Sequence, residues 1–201
     1  LFEVFNNLGK FKYEFEVSDF IYNKLIENNL TTDGDFPIFA IGENSSNPHY
    51  MPTKDKSKKI EKENPFLIDI WARLNQENSI YYDITWVGYY GNKVPDEYKK
   101  VFEIVKSARD LAVEYINSKL EKNLEIFGYE VDDVVRSYIA QKGYGNYFIH
   151  RTGHSIGKFV HYFNVNIDNF ETHDNRRIIN GCLFSIEPGI YIDGKFGIRL
   201  E

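Results

Sequence analysis

Apolar positions recur along the chain with two different periods, and the changes of period divide it into helical and extended stretches. Phe20, Ile21, Leu25 and Ile26 fall on one helical stripe, which predicts a helix over 18–30 with Ser18 as its N-cap. Thr31 to Asp35 is a polar turn containing Gly34, Phe36 to Ile41 a short apolar strand, and Gly42 to Thr53, rich in Asn, Ser and Pro, a loop. Phe66 to Arg73 and Tyr81 to Tyr89 are apolar and aromatic and flank polar Asn75 to Ser79, the pattern of a hairpin with a long turn. Pro95 to Glu121 is the longest helical pattern. Pro95 suits a first helical position, and Val101, Val105, Ala108, Ala112, Tyr115 and Ile116 mark a buried stripe. A second helix fits Val131 to Lys142, with Gly143 just past its end. Beyond it the pattern is strand and loop. Strands are predicted at Phe148–Arg151, Leu183–Glu187, Tyr191–Ile192 and Ile198–Glu201, with Pro188-Gly189 and Asp193-Gly194 as turns.

These elements predict an α+β domain, a curved antiparallel sheet backed by helices. Its halves echo one another: helix then strands with two Asp, helices then strands with two Glu. Asp69 and Asp83 are 14 residues apart, and so are Glu187 and Glu201. An even separation keeps the side within a strand, so each pair is expected on adjacent antiparallel strands with both carboxylates on one sheet face.

Those four carboxylates carry the candidate chemistry. Asp69 interrupts Phe66-Leu67-Ile68 and Ile70-Trp71, Asp83 lies between Tyr82 and Ile84, Glu187 follows Phe184-Ser185-Ile186, and Glu201 follows Ile198-Arg199-Leu200. Carboxylates disfavour strands, and a buried one needs a partner. Four that converge without counter-charge would take up protons. Two divalent cations supply the matching positive charge, and a set of oxygens with one imidazole suits Mn, Fe(II) or Co better than a thiolate-type zinc site.

Composition narrows the field. With 24 basic and 30 acidic residues the net charge is −6, which argues against nucleic acid as a partner. The one basic cluster, Lys54 to Lys62, is interleaved with Asp55 and Glu61 and reads as a solvated loop. A single cysteine, Cys182, excludes an internal disulfide and fits a reducing, cytoplasmic setting. No apolar run approaches the roughly 18 residues that span a membrane. The length of 201 residues fits one domain with its own core, and an initial Leu in place of Met is expected of a fragment.

Residues 151–161, Arg-Thr-Gly-His-Ser-Ile-Gly-Lys-Phe-Val-His, resemble the "GHGIG…VH" stretch of the M24 metallopeptidases, the creatinase/aminopeptidase P/prolidase family with the pita-bread fold. Residues 185–201, Ser-Ile-Glu-Pro-Gly-Ile-Tyr-Ile-Asp-Gly-Lys-Phe-Gly-Ile-Arg-Leu-Glu, resemble that family's "TIEPGIYIPGKFGVRIE". Residues 47–52 resemble its loop that supplies an active-site His, residues 69–85 its two-aspartate hairpin, and residues 12–30 its opening helix. The resemblance runs over nearly the whole chain in the right order. It implies five metal ligands: Asp69 on one metal, Asp83 and Glu201 bridging, His154 and Glu187 on the second. It also implies that His49 and His161 are non-ligand histidines that contact the substrate and the tetrahedral intermediate. Glu187 would move the proton, and Arg199 would be a substrate-binding residue of the Xaa-Pro branch, to which Tyr191-Ile-Asp-Gly-Lys-Phe-Gly-Ile-Arg199 points over methionine aminopeptidase.

The function the resemblance implies is a dinuclear metallo-exopeptidase acting on N-terminal, Xaa-Pro peptide bonds, of aminopeptidase P or prolidase type. Mn(II) is the first expectation for the metals, with Co, Fe(II) or Zn as others. Its partners would be peptide substrates, without nucleic acid or membrane, and a second copy in a homodimer of the full-length protein. Residues 1–201 would be the catalytic domain, with an N-terminal domain and a last strand after Glu201 outside this sequence. Relatives with other roles, namely a metal-free small-molecule hydrolase like creatinase and non-catalytic binding modules, lose metal ligands, whereas all five are present here. A metal-dependent lyase on this fold keeps them and stays open as an alternative. The departures from the pattern are a longer Asp69–Asp83 hairpin, Trp86 after Thr85 where Arg is common, Ser155 in place of Gly, and Tyr162 in place of Glu. Trp71 and Trp86 read as core or pocket wall, core first.

Overall fold

Strand β3 (Asn64–Leu74) organises the first half of the chain. The computed structural model describes residues 1–201. Helices α1 (Phe2–Asn7) and α2 (Glu14–Glu27) come first, followed by β1 (Leu30–Thr31), β2 (Ile38–Ile41), β3 and β4 (Tyr82–Tyr90). The second half repeats the order, with α3 (Asp96–Glu121) and α4 (Gly128–Gln141) before β5 (Gly189–Ile192) and β6 (Phe196–Arg199). All strand pairs are antiparallel; β2 and β4 both pair with Phe66–Asp69 and so flank β3 on opposite edges. β5 and β6 form a separate hairpin. The expected curved sheet is therefore two hydrogen-bonded sheets, linked where the Glu201 N–H donates to the Thr85 carbonyl at 3.1 Å. The fold class is as expected: α+β, with helices behind antiparallel strands in two echoing halves.

Each half has its own core. Val4, Leu8, Val17 and Ile21 of the first helices pack on Phe39, Ile41, Phe66 and Ile68. In the second half Val101, Val105, Ala108 and Ala112 of α3 and Val131, Val135 and Ile139 of α4 enclose Ile190 and Ile198. The α3 stripe is the predicted one, with Tyr98 and Ile104 added and Tyr115 only partly buried. Gly143 follows the C-cap of α4 at φ +87°, the left-handed conformation that ends a helix there. No helix is long and apolar enough to cross a membrane.

Several predicted boundaries move. α2 begins at Glu14 and not Ser18, because the Glu16 carboxylate reaches back to the N–H of Tyr13 at 3.2 Å and secures an earlier first turn. Ser18 lies inside the helix, buried, and donates to the Pro37 carbonyl, a tertiary contact that no local pattern shows. Pro95 sits one residue outside α3 in extended conformation. Phe148–Arg151 forms no strand: Phe148 goes into the core and Arg136 takes the carbonyls of Phe148 and His150 at 3.0 and 2.8 Å. Leu183–Glu187 runs against residues 152–156 and bonds to them through Leu183, Ser185 and Glu187, but the ladder is incomplete, since the His154 N–H goes to the Ser185 hydroxyl at 2.9 Å and not to its carbonyl. Gly189 belongs to β5, so Pro188-Gly189 is not a hairpin turn; the tight turn is at Gly194, φ +67°.

The two halves meet most closely where Ser45 faces β6. Gly197 N–H donates to Ser45 Oγ at 3.0 Å, and a Cβ on Gly197 would lie 2.0 Å from the Ser45 carbonyl oxygen. The nearest obstacle is Ser45 backbone, with the Tyr191 ring 2.7 Å away on the other hairpin strand, so Gly197→Ala must push the halves apart. We expect it to cost about 1–3 kcal/mol, read as a lower midpoint in urea. An unchanged midpoint would mean that the contact yields freely.

Candidate metal centre

Strand register brings the two aspartates together. Asp69 pairs with Thr85 and Trp71 with Asp83, so the two carboxylates share one face of the β3–β4 hairpin, staggered by two residues. In the second half Gly189 pairs with Arg199, and the same register carried two residues further sets Glu187 across from Glu201. The equal separation of 14 residues thus hides different hairpins, one with a long connection and a stagger, the other tight and in line.

One carboxylate oxygen each of Asp69, Asp83 and Glu201 lies within 4.8 Å of the others. His154 completes the set: its Nε2 is 3.3 Å from Asp83 Oδ2 and 3.3 Å from Glu187 Oε1. The Ser155 carbonyl, 3.2 Å from Nδ1, fixes the ring with Nε2 toward the carboxylates. All five residues expected as ligands therefore converge on one centre, buried or nearly so.

Such a cluster is electrostatically unfavourable by itself. Burial pushes Asp69 and Glu187 above the usual carboxylate range, with Arg199 working against it. Burial, reinforced by Glu187, Asp83 and Asp69, pushes Glu201 up to about 10. Burial alone would lower His154, yet Asp83 and Glu187 hold it above the ordinary histidine value. Arg199 is the one fixed cation in the cluster. Its guanidinium meets Asp69, donates to Thr85 Oγ1 at 2.9 Å and lies 3.5 Å from Glu187. It offsets one charge of four. Glu201 Oε1 is buried without any hydrogen-bond partner, an orphaned acceptor in the middle of the carboxylates. Oxygen donors in this number, one imidazole and an orphaned acceptor fit hard or borderline divalent cations.

Above the centre opens a cavity of about 470 Å³. His49 and His161 both line it. The His161 ring stands edge-on to His154, centroids 4.3 Å apart; burial and the charges of His154 and Arg151 lower it, favouring the neutral imidazole. His49 sits in a loop tied down by Glu14. That carboxylate, fully buried on α2, accepts from Ile41 N–H at 2.7 Å, Lys58 N–H at 2.6 Å, the Asn44 amide and the Tyr50 hydroxyl.

Several lining residues escaped the sequence reading as site residues, His150 among them. His150, pushed down to about 3 by burial and by Arg199 and Arg136, pairs through Nε2 with the Tyr191 hydroxyl at 2.8 Å, and that hydroxyl accepts from Arg199 at 3.3 Å. Its signal was its place at the end of the apolar run Tyr147-Phe148-Ile149, immediately before the matched block. Trp71, read first as core, is cavity wall.

The sequence profile of metallopeptidase family M24 matches residues 2–201. An Xaa-Pro dipeptidase of Lactobacillus helveticus is 31% identical over 180 residues, covering 90% of this chain and 44% of that protein. The crystal structure of a prolidase from Thermococcus sibiricus superposes with a TM-score of 0.78 at 32% identity, covering 98% of this chain and 51% of that one. An X-prolyl aminopeptidase from Caenorhabditis elegans, described as a cytosolic enzyme with a di-nuclear active site, superposes with a TM-score of 0.72 at 25% identity, covering 94% and 29%. The chain spans about half the length of the curated relatives it matches.

Proposed function

Because the chain belongs to metallopeptidase family M24, we propose that its five convergent residues hold two divalent cations and that the protein hydrolyses N-terminal peptide bonds preceding proline. The observation that carries this reading is the orphaned Glu201 Oε1 among four buried or largely buried carboxylates that a single arginine cannot neutralise. Asp69, Asp83, His154, Glu187 and Glu201 would hold the two cations. Mn(II) suits the donor set best, ahead of Co, Fe(II) or Zn. Bound cations supply Lewis-acid activation of a water and of the scissile carbonyl.

The chain's own groups do the rest. Glu187, within reach of His154 and Ser185, carries a proton from water to the leaving nitrogen. His161, neutral and at the cavity wall, donates to the developing oxyanion. His49 holds the substrate from the opposite loop. A prolyl nitrogen has no N–H and its ring fixes φ, so exopeptidases that need that N–H are excluded and a dedicated site is required. A cytoplasmic location follows from the same reading.

The test is a pair of measurements on the full-length protein. Elemental analysis after mild Mn(II) loading should give about two cations per chain, the number the four carboxylates balance. Ala-Pro-type peptides should be cleaved faster than Met-Ala-type peptides. A protein that binds no divalent cation, or one that removes Met faster, overturns the reading.

A further inference from the structure

The proposed chemistry gives Trp71 no task, yet the fold puts it beside the centre. It follows Asp69 by two residues on β3 and so faces the same side, and it pairs directly with Asp83. Side chains so paired have Cβ atoms roughly 4.5–5.5 Å apart. Its neighbour Ile70 packs on the first-half core, which leaves the indole on the cavity side, half-buried. Ile38, opposite Asp69 on β2, and Met51, exposed just beyond His49, line the same cavity. The lining contributed by the second half is polar apart from Val160, and includes His150 and Arg199.

We propose that Trp71, with Ile38 and Met51, forms the subsite for an apolar side chain on the residue preceding the scissile bond, and that Trp71 sets a preference for bulky apolar residues there. The inference rests on the Xaa-Pro reading above. A large indole left half-exposed beside buried carboxylates gains most from a ligand that covers it, since burial of apolar surface is favourable in proportion to its area. The polar wall offers donors to the carbonyl or carboxylate that follows the prolyl ring, which leaves the indole wall to the preceding side chain. Asp35, in the turn before β2, also lines the cavity and opposes an acidic side chain there.

The experiment compares kcat/KM for Gly-Pro, Ala-Pro, Leu-Pro, Phe-Pro and Leu-Ala in the full-length parent, Trp71→Phe and Trp71→Ala. Loss of one apolar wall should lower the Leu-Pro to Gly-Pro ratio by roughly 10–100-fold in Trp71→Ala, the range that hydrophobic pockets discriminate. Trp71→Phe, which keeps an aromatic ring, should stay closer to the parent. An equal loss on every Xaa-Pro substrate at unchanged metal content makes the residue structural and overturns the inference. So does a change confined to Leu-Pro against Leu-Ala, because the wall would then hold the prolyl ring. Should the parent cleave no Xaa-Pro substrate, the functional reading fails, and the subsite is decided by binding. Leu-Pro must then quench the tryptophan emission of the parent more than that of Trp71→Phe, and Gly-Pro must not; equal quenching overturns it.

Discussion

Glu187→Gln is expected to lower kcat on an Xaa-Pro peptide by roughly 10²–10⁴-fold, the usual cost of removing a general acid or base, and to lower the metal content as well. Glu187 Oε1 lies 3.3 Å from His154 Nε2 and accepts from Ser185 Oγ at 3.0 Å, while Oε2 lies 3.5 Å from Arg199. The amide keeps the shape but removes one of four negative charges and turns an acceptor into a donor, so cation binding and proton transfer suffer together. His161→Ala should behave differently. Its ring stands edge-on to His154 and it is not one of the five proposed ligands, so both cations should stay while kcat falls by roughly 10²–10³-fold, as for a lost oxyanion donor. Metals per chain and kcat, measured for both variants in the full-length protein, separate the two roles. Loss of metal from His161→Ala, with metal and turnover kept in Glu187→Gln, would mean the assignments are reversed.

The parts of this site that a sequence displays are those governed by local periodicity. Alternation along β3 and β4 gives each aspartate a side, but it is the hairpin register, with Trp71 opposite Asp83, that puts Asp69 and Asp83 on one face. The meeting of that face with His154 and Glu187 is non-local. It depends on residues 152–156 lying against 183–187, where a serine hydroxyl replaces a ladder partner and the strand pattern fades. The same cause hides the end of α2, since Ser18 is spent on Pro37 and not on a cap. Two buried carboxylates outside the centre were nevertheless visible in principle. Glu14 shares a helical face with Val17, Ser18 and Ile21, and Asp132 shares one with Val135 and Ile139. A charge on a buried stripe must have partners, and here those partners are the loops that carry His49 and His154. Trp71 was ambiguous because alternation in β3 names its face without saying whether core or cavity lies there.

Asp132→Ala is expected to destabilise the protein by about 3–5 kcal/mol, the range for removing one partner of a buried ion pair. The carboxylate is fully buried on α4 and accepts from the Thr152 N–H at 3.0 Å, the Thr152 hydroxyl at 2.5 Å and the Asn169 N–H at 2.8 Å. Arg136, one turn on, completes it with Nε and Nη2, both at 3.2 Å. Alanine leaves these donors without an acceptor in a space closed to water. Arg136 softens the loss, since its side chain is 21% exposed and keeps the carbonyls of Phe148 and His150, so the lower end of the range is expected. Asp132→Asn is no neutral isostere. Its oxygen can still accept from Thr152, but its NH2 then faces Asn169 N–H or the guanidinium, donor against donor. Urea denaturation should show a lower midpoint in both variants with an unchanged slope. Thr152 stands two residues before His154, so amide exchange at Thr152 and Gly153 should quicken before that of the α3 core. A loss below about 1 kcal/mol, the worth of one ordinary hydrogen bond, would show that Asp132 does not hold the histidine segment in place.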